Sequence, residues 1–323
     1  MHLKRLFFVV FGLLAVSATF ATAAEHKVKG YMFGDYYYAV SGPDEKRNAF
    51  QFRRIYLTNE VKWNDSFSGR LRFEAKDSGF GKGGTMNPFV KDAYLRYKGS
   101  SRSVYVGQSQ TPTWSVSEKV WGYRSVEKTL MDRTKAGSSR DNGIALKTKV
   151  GGSGKVSLHI MVANGNSNKS EKDNDKKLYG LLHLKPSGDL VATAYVDWQS
   201  QPKDQDQTTV AVLVGTTGKD LHGGVEVFSR TVSKAAGSKD LISQGVSLFG
   251  AKRLQDNIKI FARADFSDPN TDVDDDSEML LVGGIDWSPT KGIHVMPNVE
   301  VITEDTPKVD TTVMPRITGY FKF

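Results

Sequence analysis

The sequence has no cysteine, which excludes a disulfide framework, a thiolate metal centre and a cysteine nucleophile. It has one long apolar run, at the extreme N-terminus, whereas a bundle of membrane helices would need repeated runs of roughly 20 residues. Convincing amphipathic helices are missing, with one short candidate described below. Disorder is excluded from the other side, because hydrophobic residues make up 39% and the chain carries 5 Trp, 12 Tyr and 17 Phe. At 323 residues, one large domain or two ordinary ones would fit.

Residues 1–24 read as an export signal. Lys4 and Arg5 give a positive start, Leu6 to Val16 an apolar core, and Ala21-Thr22-Ala23 with Ala24 a small-residue cleavage site. The run is short for a membrane anchor. With no cysteine after it, a lipoprotein is excluded. Removing Lys4 and Arg5 lowers the formal charge of +8 by two. The remaining chain, 25–323, is expected to work outside the cytoplasm as one domain.

From His26 onward the dominant pattern is period two, the mark of strands. Arg70-Leu71-Arg72-Phe73-Glu74-Ala75-Lys76 alternates charged and apolar residues, and the stretches 155–162, 258–266 and 293–301 do the same. The rhythm predicts sixteen strands, near 27–39, 49–62, 67–77, 88–98, 102–109, 140–150, 155–164, 177–186, 189–198, 207–215, 219–230, 241–251, 257–266, 278–287, 292–302 and 311–323. Their connections alternate. One set is short and turn-like. The other is longer and polar, at 40–48, 78–87, 110–139, 165–176, 199–206, 231–240, 267–277 and 303–310.

A meander with one plain end and one elaborated end produces that alternation. A soluble up-and-down sheet could share it, but here the non-apolar face is crowded with charge: Arg54, Glu60, Arg70, Arg72, Glu74, Arg96, Lys98, Lys147, Lys149, Arg263 and Arg316 among others. An export signal, about ten residues per strand and the turn asymmetry fit an all-β, antiparallel transmembrane barrel in the bacterial outer membrane. In lipid every backbone amide must be satisfied internally, so the sheet must close. The C-terminus, Ile317-Thr318-Gly319-Tyr320-Phe321-Lys322-Phe323, places Ile317, Phe321 and Phe323 on one face. It resembles the final-strand signal of outer-membrane proteins, which implies the barrel-assembly machinery as a partner through Phe323. Outer-membrane lipid and lipopolysaccharide are the other expected surroundings.

Residues 50–76, opening Phe50-Gln51-Phe52-Arg53-Arg54-Ile55-Tyr56-Leu57 and continuing Ser68-Gly69-Arg70-Leu71-Arg72-Phe73-Glu74, resemble the second and third strands of the phosphate-selective porin O and P family. Val90-Lys91-Asp92-Ala93-Tyr94-Leu95-Arg96-Tyr97 resembles its next strand. Val104-Tyr105-Val106-Gly107-Gln108 with Thr111-Pro112 resembles its run into the third loop. The clear match covers roughly residues 28–135. The resemblance implies a sixteen-strand, water-filled channel for small hydrophilic solutes or ions, assembled as a homotrimer. It does not fix the solute.

The segment 110–139 is the longest gap between strands, and loops of such length are usually functional or disordered. Its Trp114, Trp121 and Tyr123 argue against disorder. The spacing after Ser117 suggests a short helix, and in porins such a loop folds into the lumen and narrows it. Its tips, Lys119, Arg124, Lys128 and Arg133 against Glu118, Glu127 and Asp132, would then face charged wall residues. Charge rings at a wet constriction set selectivity. A mild anion preference would be carried by Arg54, Arg70, Arg72, Arg96 and Lys98. Equally, these could be counter-paired by Glu60, Glu74 and Asp92 and simply order the wall. Phosphate selectivity would call for a lysine cluster in this loop, and the loop offers only Lys119, Lys128 and Lys135.

The remaining signals are weaker. The acidic run Asp268 to Glu278 has oxygens that could bind Ca²⁺ or bridge lipopolysaccharide, but it lacks the register of a calcium-binding hand. His159, His183, His222 and His294 are isolated, without the paired spacing of a metal site. No phosphate-loop context occurs, and no cofactor is expected. Basic residues alternate with apolar ones rather than clustering, so nucleic acid is not an expected partner. Two other classes remain beside the channel. One is a structural or adhesive surface barrel, whose loops would be longer. The other is a barrel enzyme, which would need a nucleophile beside a base, and none is visible.

Overall fold

A computed structural model describes residues 24–307 and 309–323. The export-signal reading concerns residues 1–24, of which 1–23 lie outside the described residues. Sixteen strands follow one another: β1 (Glu25–Tyr38), β2 (Asn48–Lys62), β3 (Phe67–Ala75), β4 (Phe89–Lys98), β5 (Arg102–Gln110), β6 (Arg140–Val150), β7 (Val156–Ala163), β8 (Lys177–Leu184), β9 (Leu190–Gln199), β10 (Gln207–Thr217), β11 (Leu221–Ala236), β12 (Lys239–Gln255), β13 (Ile258–Asp268), β14 (Glu278–Thr290), β15 (Ile293–Glu304) and β16 (Thr312–Lys322). Each pairs antiparallel with its chain neighbours, and β1 pairs with β16, so the barrel is closed. The seam is zipped through seven partners, from Tyr31↔Lys322 to Tyr37↔Arg316. Closure leaves no sheet edge unpaired, as lipid demands.

Strand side chains point alternately to the two faces of the wall. On β10, Val210, Val212 and Val214 are exposed while Thr209, Ala211 and Leu213 are buried inside. Leu57, Leu71, Leu95, Val106, Ile144, Ile160 and Leu248 extend the exposed apolar face around the barrel. This is the pattern of a barrel whose outside meets lipid and whose inside meets water and the inward loop. No helix of the described residues is long and apolar enough to cross a membrane.

The sixteen expected strands are all present. One expected loop is corrected. Residues 231–240 are not a polar loop: β11 and β12 continue as a hairpin in which Ala236 pairs with Lys239. Polarity misled the sequence reading there. A hairpin that extends past the apolar band has two wet faces and no alternation to show.

The chain between β5 and β6 turns into the barrel. It carries helix α1 (Trp114–Trp121) and the single turn α2 (Leu130–Arg133). Helix α1 starts three residues before the Ser117 suggested by spacing. Trp114, Ser117, Val120 and Trp121 form its buried stripe. Gly122 ends it in the left-handed region at φ 75°, and a Cβ there would come within 2.8 Å of His222 Nε2. The loop packs against one half of the wall. Trp114, Leu130 and Met131 meet Ala145, Met161, Tyr179, Leu181, Tyr195, Ala211 and Phe228. Val120, Trp121, Tyr123 and Val126 meet Val191, Leu213, Phe249, Phe261, Leu280 and Val282. Full burial of a Val, Leu or Met side chain is worth about 1.5–3 kcal/mol, so this core holds the loop inside the barrel. The β1–β5 wall, with β16, is left facing the passage.

Candidate functional site

The passage runs between the inward loop and a wall rich in arginine and tyrosine. Alternation on β2, β3 and β4 turns Arg54, Thr58, Glu60, Arg70, Arg72, Glu74, Asp92, Tyr94 and Arg96 inward. Much of that charge is paired. Arg54 Nε lies 2.7 Å from Glu74, whose other oxygen meets Lys91 Nζ at 3.1 Å. Arg70 meets Glu60 at 2.5 Å and Asp92 at 3.6 Å. Arg72 also lies 3.6 Å from Asp92 and donates from Nε to Thr58 Oγ1 at 2.8 Å. Arg140, at the start of β6, is ion-paired and hydrogen-bonded to the same Asp92, which has no solvent exposure. One buried carboxylate thus faces three guanidinium groups. Arg96 donates to Ser68 Oγ at 2.9 Å, and Lys98 sits beyond it toward the short-turn end; neither has an acidic partner among the described residues.

The loop's own charges divide in the same way. Arg124 turns back within the loop, 3.4 Å from Glu118 and 3.0 Å from Asp132, rather than reaching across to the wall. Burial raises the Glu118 carboxyl above its ordinary value, against the pull of Arg124. Glu127 lies 3.7 Å from Arg53. Burial alone would raise its carboxyl, but Arg53 and neighbouring guanidinium groups hold it down at about 2. Arg133 reaches the wall, where it meets Glu278 and lies 3.4 Å from Asp265. Lys119 and Lys128 have no acidic partner within ion-pair distance among the described residues, and burial lowers the Lys128 ammonium. Lys128 offers its carbonyl to Arg263.

Arg53, adjacent to Arg54, also points inward. Strict alternation would send it to lipid. A bulge opposite Phe33 and Gly34 leaves Arg53 unpaired in the ladder and turns it into the lumen. There it holds Asp35 at 2.6 Å and donates to the Val126 carbonyl of the loop at 2.5 Å. A Cβ on Gly34 would lie 2.2 Å from the Gln51 carbonyl, so the bulge depends on that glycine.

Two cavities flank helix α1. On the short-turn side, a cavity of 430 Å³ is lined by Lys98, Arg102, Lys119, Lys147, Lys149 and Lys185, with His159 and His183, and by no Asp or Glu. The other, of 630 Å³, is lined by Arg70, Arg72, Lys91, Lys119, Arg124, Arg140 and Lys259, by several tyrosines, and by two acids, Glu118 and Asp286. Both acids are engaged, Glu118 with Arg124 and Asp286 with His294 at 2.8 Å. Ser115 and Lys119 line both cavities, so α1 stands at their boundary.

Sequence reasoning missed Lys91 and Arg140 as site residues because their partners lie on other strands. Lys147 was visible on the charged face, but its place in the first cavity depends on where the loop folds. The acidic run Asp268 to Glu278 begins on the last residue of β13 and ends on the first of β14, and the residues between form a connection at the long-loop end. No group of three or more His, Asp or Glu side chains able to hold a metal occurs among the described residues.

A closed sixteen-strand barrel with a loop folded inside and a charged passage beside it is the architecture of a porin-type outer-membrane channel. Residues 27–229 match the profile of the family described as phosphate-selective porin O and P. The match covers well over half of the chain, and the chain belongs to that family. Solved structures share the fold at low identity. The anion-selective porin from Comamonas acidovorans superposes with a TM-score of 0.69 at 11% identity, covering 93% of this chain and 100% of that one. The outer membrane channel DcaP of Acinetobacter baumannii gives 0.66 at 16%, covering 95% and 100%. OmpT of Vibrio cholerae in its trimer form gives 0.64 at 15%, covering 93% and 100%. No curated protein sequence matches the chain. The protein is an outer-membrane channel for small solutes.

Proposed function

We propose that this channel passes small hydrophilic solutes by diffusion with a preference for anions, and that the preference is set where α1 meets the wall. The observation that carries the reading is the cavity on the short-turn side of α1, which has six Lys and Arg side chains in its lining and no carboxylate. In outer-membrane barrels the short-turn end faces the periplasm. Lys119 projects at the boundary between the two cavities. Arg54, Arg70, Arg72 and Arg96 with Lys98 form the facing wall; of the loop's other cations, Lys128 has no ion-pair partner among the described residues, and Arg124 and Arg133 add less because carboxylates match them. Asp92, Glu74 and Glu60 offset part of the wall charge, which keeps the preference mild. Confinement strengthens the unpaired charges relative to bulk water.

The same reading assigns a cleaved export signal at 1–24, insertion through the final strand ending at Phe323, and a homotrimer, for which the trimer form of the similar OmpT gives a precedent. Catalysis has no place in it. The reversal potential of the reconstituted channel in a KCl gradient tests it: an anion-directed value is expected, and a cation-directed value would overturn it.

A further inference from the structure

Charge alone does not account for the larger cavity. Beside its basic groups it has an aromatic wall at the barrel seam. Tyr31 on β1 lies 4.6 Å from Tyr56 on β2 and 5.8 Å from Tyr320 on β16, centroid to centroid, and 6.4 Å from Phe33 in a stacked arrangement. All four line the cavity. Tyr56 and Phe33 are buried, and Tyr31 and Tyr320 in front of them are half-buried. The Arg72 guanidinium lies 5.9 Å from the centre of Tyr31 and 5.4 Å from that of Tyr56. Arg72 gives its Nε to Thr58 and lies 3.6 Å from Asp92, which it shares with Arg70 and Arg140, and its terminal nitrogens meet no hydrogen-bond acceptor among the described residues.

Inorganic anions need only the positive groups. A row of rings on the water side of the wall offers them nothing and narrows their path. Rings beside a guanidinium whose terminal nitrogens are free of acceptors suit a solute that is itself a ring bearing a negative group. Its ring would stack or meet edge-on against Tyr31 and Tyr320, while its carboxylate takes the fork of Arg72. We propose that this cavity takes aromatic carboxylates in preference to small anions of equal charge. The inference rests on the anion-channel reading and narrows its solute class.

Benzoate and acetate separate the two claims, since they share a carboxylate and differ in the ring. The full chain is reconstituted in planar bilayers in KCl, and each potassium salt is added while chloride current is recorded. Benzoate is expected to block the current saturably, with a half-blocking concentration about five-fold or more below that of acetate. Tyr31→Ser should bring the two concentrations together, and Tyr31→Phe, which keeps the ring, should hold them apart. Equal block by benzoate and acetate in the wild type, or a gap that survives Tyr31→Ser, would overturn the proposal. If Tyr31→Ser does not insert, the wild-type ratio still decides. An anion-directed reversal potential without selective benzoate block would remove this proposal alone. A cation-directed one would remove the reading beneath it.

Discussion

The guanidinium of Arg263, on β13, lies 5.2 Å from the ring centre of Trp121, the last residue of the helix inside the lumen. The same guanidinium is held by Asp265, at 2.5 Å and 2.8 Å, and donates to the carbonyl of Lys128. Wall and loop are therefore joined by one arginine that touches an aromatic side chain, a backbone carbonyl and a buried carboxylate. Loop position, and with it passage width, follows from such joints.

Trp121→Ala removes the ring that packs on Phe249, Phe261 and Tyr123. Truncating a buried aromatic costs about 3–5 kcal/mol, and here the cost falls on loop docking rather than on strand pairing. Single-channel records should show a larger, noisier conductance. The barrel should keep its resistance to unfolding in detergent.

Arg53→Ala should act differently. It leaves Asp35 and Glu127 without their shared cation and frees the Val126 carbonyl. Breaking a buried ion pair on one side costs about 3–5 kcal/mol. Both the loop and the β1–β2 wall should weaken, seen as a lower unfolding temperature together with raised conductance.

Lys119→Gln tests the boundary charge. In water a unit charge about 10 Å from an ion is worth about 0.4 kcal/mol, or about two-fold in occupancy. The anion-to-cation permeability ratio should fall by about that factor, and by about its square for Lys119→Glu. Asp92→Asn should move the ratio the other way, because Arg70, Arg72 and Arg140 would keep their charge without a shared counter-ion.

Acidification should raise anion preference before it loosens the loop. Burial lifts Glu118 above its ordinary 4.5, so it is expected to protonate first and leave the Arg124 charge less compensated. A raised carboxyl pKa means that the docked loop binds this proton more readily than the unfolded chain, so docking is not weakened as pH falls through it. Glu127 is the opposite case. Held at about 2, its contribution is present above its ordinary 4.5 and is lost only as pH falls toward the lower value. Reversal potentials between about pH 7.5 and about pH 4 should therefore shift toward the anion limit, and the shift should be smaller in Glu118→Gln.

The barrel was legible in the sequence because lipid enforces alternation on every strand it touches, and turns interrupt it. Where that constraint lapses, the reading failed: the β11–β12 hairpin beyond the apolar band looked like a loop. The charged residues were legible as a set but not as pairs. Asp92 and Arg140 are 48 residues apart and meet across β5, which only sheet register and the inward loop bring about. Arg53 was legible as a residue of the family-like stretch but not as a lumen residue, since a one-residue bulge reverses its face. The Tyr31–Tyr320 pair forms at the seam between the two ends of the barrel, and no local pattern announces it.

The central claim is that unpaired lysines at the helix boundary make this an anion-preferring channel. The reversal potential of the wild-type protein in a KCl gradient across a planar bilayer tests it most directly. The account predicts a potential displaced toward the chloride equilibrium value, with the displacement reduced in Lys119→Gln. A potential displaced toward the potassium value, or no conductance from folded protein, would contradict it.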